Sequence, residues 1–324
     1  MFVSNVSASD IEKGIALYDQ KKFIYAFPVI EKEAIKGNSE AQYYLGRMYR
    51  WGEGTNVDLK KAVYWYAKGA DQGNRKAQNN LGIMYANGLG VKKDLKKAIK
   101  LYTLSAAQGT AAARFNLGTM YLEGKGINQD YFKALDLFRQ AASQEHVRAM
   151  YMIGLSYHLG MGVPVDFNEA IKWYKLAALK GDVDSMWNLA AIYMPEYGST
   201  DIQAWNEVYK WSSLALEYGD KQNAPLGLGL IYLFGFGNYE SDNRKAEQYF
   251  TMAADHGRAD AWYWLGYMHE NGLGIPVNIT KAFEYYKKGA EAGFQPAAKR
   301  LAQRDTPGKV DFIYLLKKLS SPLQ

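Results

Sequence analysis

The sequence predicts an all-α solenoid built from stacked helical hairpins, and three observations carry that prediction. The stretch Ala77 to Gly109, AQNNLGIMYANGLGVKKDLKKAIKLYTLSAAQG, returns in recognisable form 36 residues upstream and 36 residues downstream. A fixed period of this size is the signature of a repeat array. A Leu-Gly pair marks each unit at Leu45, Leu81 and Leu117, then as Ile153 with Gly154, as Leu189 with Ala190, and at Leu228 and Leu265, which makes seven copies. Within a copy, two apolar runs of helical period flank a Gly-x-Gly.

On a helix that advances 100° per residue, Leu45, Gly46, Ala41 and Tyr49 fall at about 0°, 100°, −40° and 40°, so the first run buries a face of small and apolar residues. Gly52 and Gly54 follow it in the first copy, Gly88 and Gly90 in the second. The residue before the second run is Asp58, Asp94, Asp130, Asp166, Asp242 or Asn278. Such side chains accept hydrogen bonds from the free N–H groups of a helix start, so each reads as an N-cap worth about 1 kcal/mol. The second run places Ala62, Tyr66 and Ala70 on one stripe, as it does Ala98, Tyr102 and Ala106, and Ala170, Tyr174 and Ala178. Small residues let neighbouring helices approach, and the ring fills the gap. Gly37, Gly73, Gly109, Gly181, Gly219, Gly257 and Gly293 close the second helices, where a positive φ is wanted.

The order Ala-x-x-x-Leu-Gly-x-x-Tyr, Gly-x-Gly-Val, Asp-x-x-Lys-Ala, Trp-Tyr, Ala-Ala, Gly resembles the Sel1-like repeat, a relative of the tetratricopeptide repeat, over roughly Ala41 to Phe294. The resemblance implies a right-handed α/α superhelix of hairpins that binds another protein as a scaffold or adaptor. Such arrays are found in bacteria and in eukaryotic membrane-protein degradation and signalling complexes. It also implies a second use, as a stoichiometric inhibitor of the immunity type that neutralises a secreted bacterial effector such as a phospholipase. Cysteine-rich relatives have been suggested to hydrolyse cell-wall or lactam substrates. This chain has no cysteine, which removes disulfides, thiol nucleophiles and cysteine metal sites together and separates it from that branch.

Three parts are expected along the chain. Residues 1–40 read as an N-terminal capping hairpin: Ser9 and Glu12 have capping-box spacing, and a helix near Lys22 to Lys36 sets Ala26, Ile30 and Ala34 in the slots of Ala62, Tyr66 and Ala70. Residues 41–294 hold the seven repeats. Residues 295–324 read as capping helices: PAAKRLAQR starts another first helix, DTPG breaks it, and Val310 to Leu319 caps the end or docks on a membrane surface or partner. The fifth copy loses its Gly-x-Gly and puts Ser212 in the ring slot, and the fifth and sixth each span 38 residues. These adjacent insertions read as tolerated loops, a change of curvature, or a contact surface.

No apolar run reaches 18 residues, so no membrane span is expected. MFVSNVSASD lacks the basic start and apolar core of a secretory signal, which points to the cytoplasm as written, or to the periplasm if a signal has been removed. The net charge of +6 favours an acidic partner without requiring one.

If Leu45 points into the core, Tyr43 and Arg47 each lie 200° away and face the concave side of the first helices. Along the array the position two before the marker is Tyr43, Asn79, Phe115, Tyr151, Trp187, Leu226 and Tyr263. The position two after it includes Arg47, Leu155 and Tyr267. Trp51 and Phe234 extend this strip, which is expected to hold a partner protein. The alternative is that the rings stack between adjacent first helices and finish the core. Glu40, Arg47, Arg50, Lys76 and Arg148 in the first half, against Asp184, Asp260 and Glu270 in the second, suggest a bipolar groove that orients the partner.

Catalysis and cofactors find no footing in the sequence. The Gly-x-Gly motifs join helix to helix with no preceding strand and no following Lys-Ser/Thr, so they are turns and not phosphate loops. His146, His158, His256 and His269 lie in separate repeats with no carboxylate at ligand spacing. The basic run at Lys92, Lys93, Lys96, Lys97 and Lys100 reads as a solvated face. The inner positions hold a single basic residue, Arg47, which argues against nucleic acid.

Overall fold

A computed structural model describes residues 10–195 and 201–303 and contains seventeen α-helices and no strand among them. The chain divides into two compact units, Met1–Val165 and Asp166–Gln324. In the first, α1 (Asp10–Asp19) and α2 (Phe23–Ile35) form an antiparallel pair that packs on α3 (Ser39–Trp51). Then come α4 (Leu59–Asp71), α5 (Arg75–Asn87), α6 (Leu95–Ala107), α7 (Ala111–Glu123), α8 (Tyr131–Ala142) and α9 (Val147–Leu159). The second unit runs α10 (Phe167–Ala178), α11 (Val183–Tyr193), α12 (Ile202–Glu217), α13 (Ala224–Phe234), α14 (Asn243–Asp255), α15 (Ala259–Asn271), α16 (Ile279–Glu291) and α17 (Gln295–Ala302). Within each unit, each helix packs chiefly on its neighbours in the chain. Ser9 and the segment Val310 to Leu319 lie outside the described residues.

The capping chemistry read from the sequence is present. Asp58, Asp94, Asp130 and Asp242 each accept a hydrogen bond from the backbone N–H three residues on, and Asp166 and Asn278 cap α10 and α16 in the same way. The backbone N–H of Asp58 also donates to the Tyr49 carbonyl at 2.8 Å, and that of Asp94 to Tyr85 at 2.9 Å, which ties each second helix back to the end of its first. The second helices close on glycines with φ between +82° and +98°. After α8 the same place is held by Glu145, with φ +62°, a conformation that glycine adopts without steric cost.

Two close approaches set the packing. The marker glycine lies flat against the ring of its partner helix. A Cβ on Gly46 would stand 2.6 Å from Tyr66, one on Gly82 2.7 Å from Tyr102, and one on Gly118 2.7 Å from Phe138. The second glycine of each loop sits on the start of the preceding hairpin's second helix. A Cβ on Gly54 would lie 2.4 Å from the Phe23 carbonyl oxygen, one on Gly90 2.4 Å from that of Leu59, and one on Gly126 2.7 Å from Leu95 Cβ. The fifth copy departs from the first rule in both partners at once. Ala190 replaces the glycine and Ser212 the ring, both are fully buried, and the Ser212 hydroxyl has no hydrogen-bond partner.

Candidate functional site

The first helices form the inner layer within each unit. α3 packs directly against α5, and α15 against α17. The face of the first helices turned away from the second helices is therefore the inner wall, where sequence spacing placed the twelve candidate contact residues.

The structure divides those twelve into three groups. Tyr43, Asn79, Trp187, Leu226 and Tyr263 are buried, which corrects the expectation that they stand open on that wall. Groups from their own hairpins and from later ones close over them. Tyr43 lies 6.3 Å from the Tyr66 ring and beneath the Lys76 ammonium at 5.4 Å. Asn79 Oδ1 accepts a 2.9 Å hydrogen bond from Asn116 on the next first helix. The Arg258 guanidinium covers Trp187 at 5.1 Å. Tyr263 is enclosed by Tyr286 at 5.3 Å and by Phe294 at 5.8 Å. Leu226 is wholly inside. Arg47, Phe115, Tyr151, Leu155, Phe234 and Tyr267 are half-buried, and Trp51 is exposed.

The half-buried rings of the first unit are held in place. Phe115 stacks on His146 with centroids 4.8 Å apart, and Arg148 lies 4.6 Å from the Tyr151 ring. Arg47 is 5.2 Å from the Tyr18 ring, and Arg50 is 4.7 Å from Trp51. His146 escaped the sequence reading as a structural residue. Its Nδ1 accepts from the Ala149 N–H at 3.2 Å and so caps α9, the duty Asn38 and Asn74 perform for α3 and α5. The signal was available: Asn38, Asn74, Thr110 and His146 stand 36 residues apart.

Half of the expected bipolar charge, Glu40, Lys76, Asp260 and Glu270, is spent on internal pairs. Lys76 Nζ meets Glu40 at 2.8 Å, Arg258 meets Asp260 at 2.9 Å in a nearly buried pair, and Arg300 is bound to Glu270, which also accepts from the Tyr286 hydroxyl at 2.6 Å. Pairs of this kind hold hairpins together, and little of their field remains for a partner.

Three histidines have their pKa held below the ordinary value. Burial does this for His158. For His146 burial comes first and Arg148 adds to it, and for His269 burial comes first and Lys281 adds to it against a smaller opposite pull from Glu247. A folded-state pKa below the unfolded one means that the stability is complete above the unfolded value, about 6.5, and is lost as pH falls through it toward the folded value. The melting temperature should therefore hold steady above neutral pH and fall on acidification toward pH 5. His269→Tyr restores the residue of the other copies and should flatten part of that fall, as read by melting curves across the pH series.

Among the described residues no group of three or more His, Asp or Glu could hold a metal ion, and no helix is long and apolar enough to cross a membrane. Helical hairpins packed in series within each unit define a helical-repeat scaffold. The Sel1 repeat model matches residues 39–74, 75–110, 111–146, 147–182, 183–207, 224–257 and 259–294, and the chain belongs to that family. It is similar in structure to c5321, a protective antigen present in uropathogenic Escherichia coli strains, with 31% identity and a TM-score of 0.74, covering 91% of this chain and 63% of that one. A Sel1 repeat protein from Oxalobacter formigenes matches at 32% identity and TM-score 0.64 over 76% of this chain and 99% of its own. The DAP3-binding cell death enhancer 1 of Rattus norvegicus is 36% identical over 84 residues, which is 25% of this chain and 16% of the rat protein. The chain thus spans under two thirds of the E. coli antigen, and its matched stretch covers about a sixth of the rat protein.

Proposed function

We propose that this chain is a non-enzymatic scaffold that captures a partner protein on the inner wall of its first helices. In this reading α1–α2 and the segment from residue 295 onward cap the repeats of residues 41–294. The observation that carries the proposal is the pair of half-exposed rings in the first unit, Phe115 braced by His146 and Tyr151 braced by Arg148, with Leu155 one turn beyond Tyr151. Rigid aromatic anchors give large contact area at little entropic cost, the property that concentrates binding energy in a few residues. Arg47 and Trp51 extend that surface, and Phe234 and Tyr267 are the half-buried counterparts in the second unit. The rat relative, named for binding DAP3, is consistent with a protein as the guest.

Affinity purification identifies the guest, and an equilibrium titration with that guest then tests the surface. Tyr151→Ala combined with Leu155→Asp is expected to weaken binding roughly 30-fold or more, the loss typical of a hot spot, while the melting temperature changes little. Unchanged affinity in a folded double variant would reject the inner wall of the first unit. Recovery of a toxic effector whose activity is blocked one-to-one would make the chain a stoichiometric inhibitor, and recovery of two or more members of one assembly would make it an adaptor.

A further inference from the structure

One edge of the first unit is left unexplained by capture on the inner wall. It is built by the loop-on-helix seats: Gly54 on Phe23, Gly90 on Leu59, Gly126 on Leu95, and Gly162 on Tyr131, where a Cβ would meet the Tyr131 backbone at 2.8 Å. These approaches interleave the starts of α2, α4, α6 and α8 with the Gly-x-Gly loops in a single row. The second residue of those four helices is Ile24, Lys60, Lys96 and Phe132 in turn, and Ile24 and Phe132 are each 76% exposed. Val57 and Val165, which flank the loops, are also more than half exposed.

The same row is cationic. Lys21, Lys22, Lys60, Lys92, Lys93 and Lys96 are exposed and make no ion pair among the described residues. Most of its acids are engaged: Asp58, Asp94 and Asp130 cap helices, Glu53 accepts from the Tyr18 hydroxyl, and Glu123 pairs with Lys125 at 2.8 Å, while Asp19 beside Lys21 is exposed. The sequence reading took the lysines at 92–100 as a solvated face, and by itself such a run says no more. What changes the reading is the exposed apolar side chains at both ends of the row. The charge also belongs to this unit alone: it holds 22 Lys and Arg against 14 Asp and Glu, and the second unit holds 17 against 19.

We propose that this edge docks the protein on an anionic lipid bilayer, with the lysines at the level of the headgroups and Ile24 and Phe132 inserted into the interface. Diffuse attraction of lysines to acidic headgroups, together with shallow insertion of aromatic and aliphatic side chains, is the physical basis of peripheral membrane binding. The exposed cations named in this row are all lysines. Bidentate recognition of an individual phosphate favours arginine, and the exposed apolar side chains named in the row offer bases one ring, Phe132, among aliphatic ones, so the chemistry suits a lipid surface better than a phosphopeptide or a nucleic acid.

The test is sedimentation of the full chain with vesicles of phosphatidylcholine alone and with an equal mixture of phosphatidylcholine and phosphatidylserine. Binding is expected to the mixed vesicles only and to fall with added salt. Lys60→Gln, Lys92→Gln, Lys93→Gln and Lys96→Gln combined should lose affinity by roughly fivefold per lysine. Ile24→Ser with Phe132→Ser should weaken binding at unchanged charge. All these positions are exposed, and melting curves confirm that the variants are folded. Equal binding to both vesicle types, or undiminished binding by the folded lysine variant, overturns the proposal. So does a wild-type chain that ignores both vesicles but binds a single-stranded oligonucleotide or polyglutamate with the same lysine dependence, since the edge would then serve a soluble polyanion.

Discussion

Trp187→Ala should cost roughly 3–5 kcal/mol of stability, the range for truncating a large aromatic in a packed core. The ring is only 3% exposed, and its face is covered by the Arg258 guanidinium. Arg258 meanwhile donates to Asn223 Oδ1 at 2.7 Å and holds Asp260 with two hydrogen bonds, at 2.9 and 3.1 Å. Truncation therefore opens a cavity and also removes the surface on which a nearly buried ion pair rests. Losing the packing around such a pair is costly, because the charges stay desolvated without their support. Denaturant unfolding of the variant is the measurement. In a repeat array the loss should appear as earlier unfolding of the second unit, with the first less affected, since stability is close to a sum over neighbours. A variant that melts like the parent would return Trp187 to the open wall.

Gly90→Ala should be comparably damaging for a backbone reason. Gly90 has φ +67°, which L-residues adopt at about 1 kcal/mol or more, and its added Cβ would stand 2.4 Å from the Leu59 carbonyl oxygen. That oxygen belongs to the first turn of α4 and cannot rotate away as a side chain could, so α5 and α6 must shift relative to α4. A total of about 3 kcal/mol is expected from strain and overpacking together. Gly73→Ala is the control: its φ is +82°, yet nothing lies within 4 Å of the added Cβ, so it carries the conformational cost alone. Thermal melts of the two variants side by side should separate by the cost of the clash, and equal melting temperatures would reject the loop-on-helix seat.

Most of the fold was legible because the repeats state it several times over. Asp58 and its equivalents announce helix starts, Gly73 and its equivalents announce helix ends, and the Leu45 spacing gives the buried face. The inner wall was half legible. The spacing from Leu45 set Tyr43 apart from the Leu45 stripe, yet the residue is buried, with the Tyr66 ring 6.3 Å away. What it could not supply was the neighbour: Lys76 is 33 residues further on and Phe294 is 31 residues beyond Tyr263, and a helical wheel drawn for one helix contains neither. The charge pattern failed for a related reason. Lys76 and Glu40 stand one period apart, so each had its counter-ion in the adjacent hairpin. Phe115 and Tyr151 stay half open because the groups that brace them, His146 and Arg148, cover only part of each ring.

The seats of Gly54, Gly90 and Gly126 have a bearing on how such a chain can change its length over evolutionary time. Because one hairpin rests on the next through the same glycine-to-helix-start junction, duplicating or deleting a 36-residue unit among these copies recreates a junction already proven to work. Ala190 and Ser212 do not share that interchangeability. Their hairpin fits only as a matched set, so recombination that crossed it would join a ring to a methyl group where only a hydrogen leaves room.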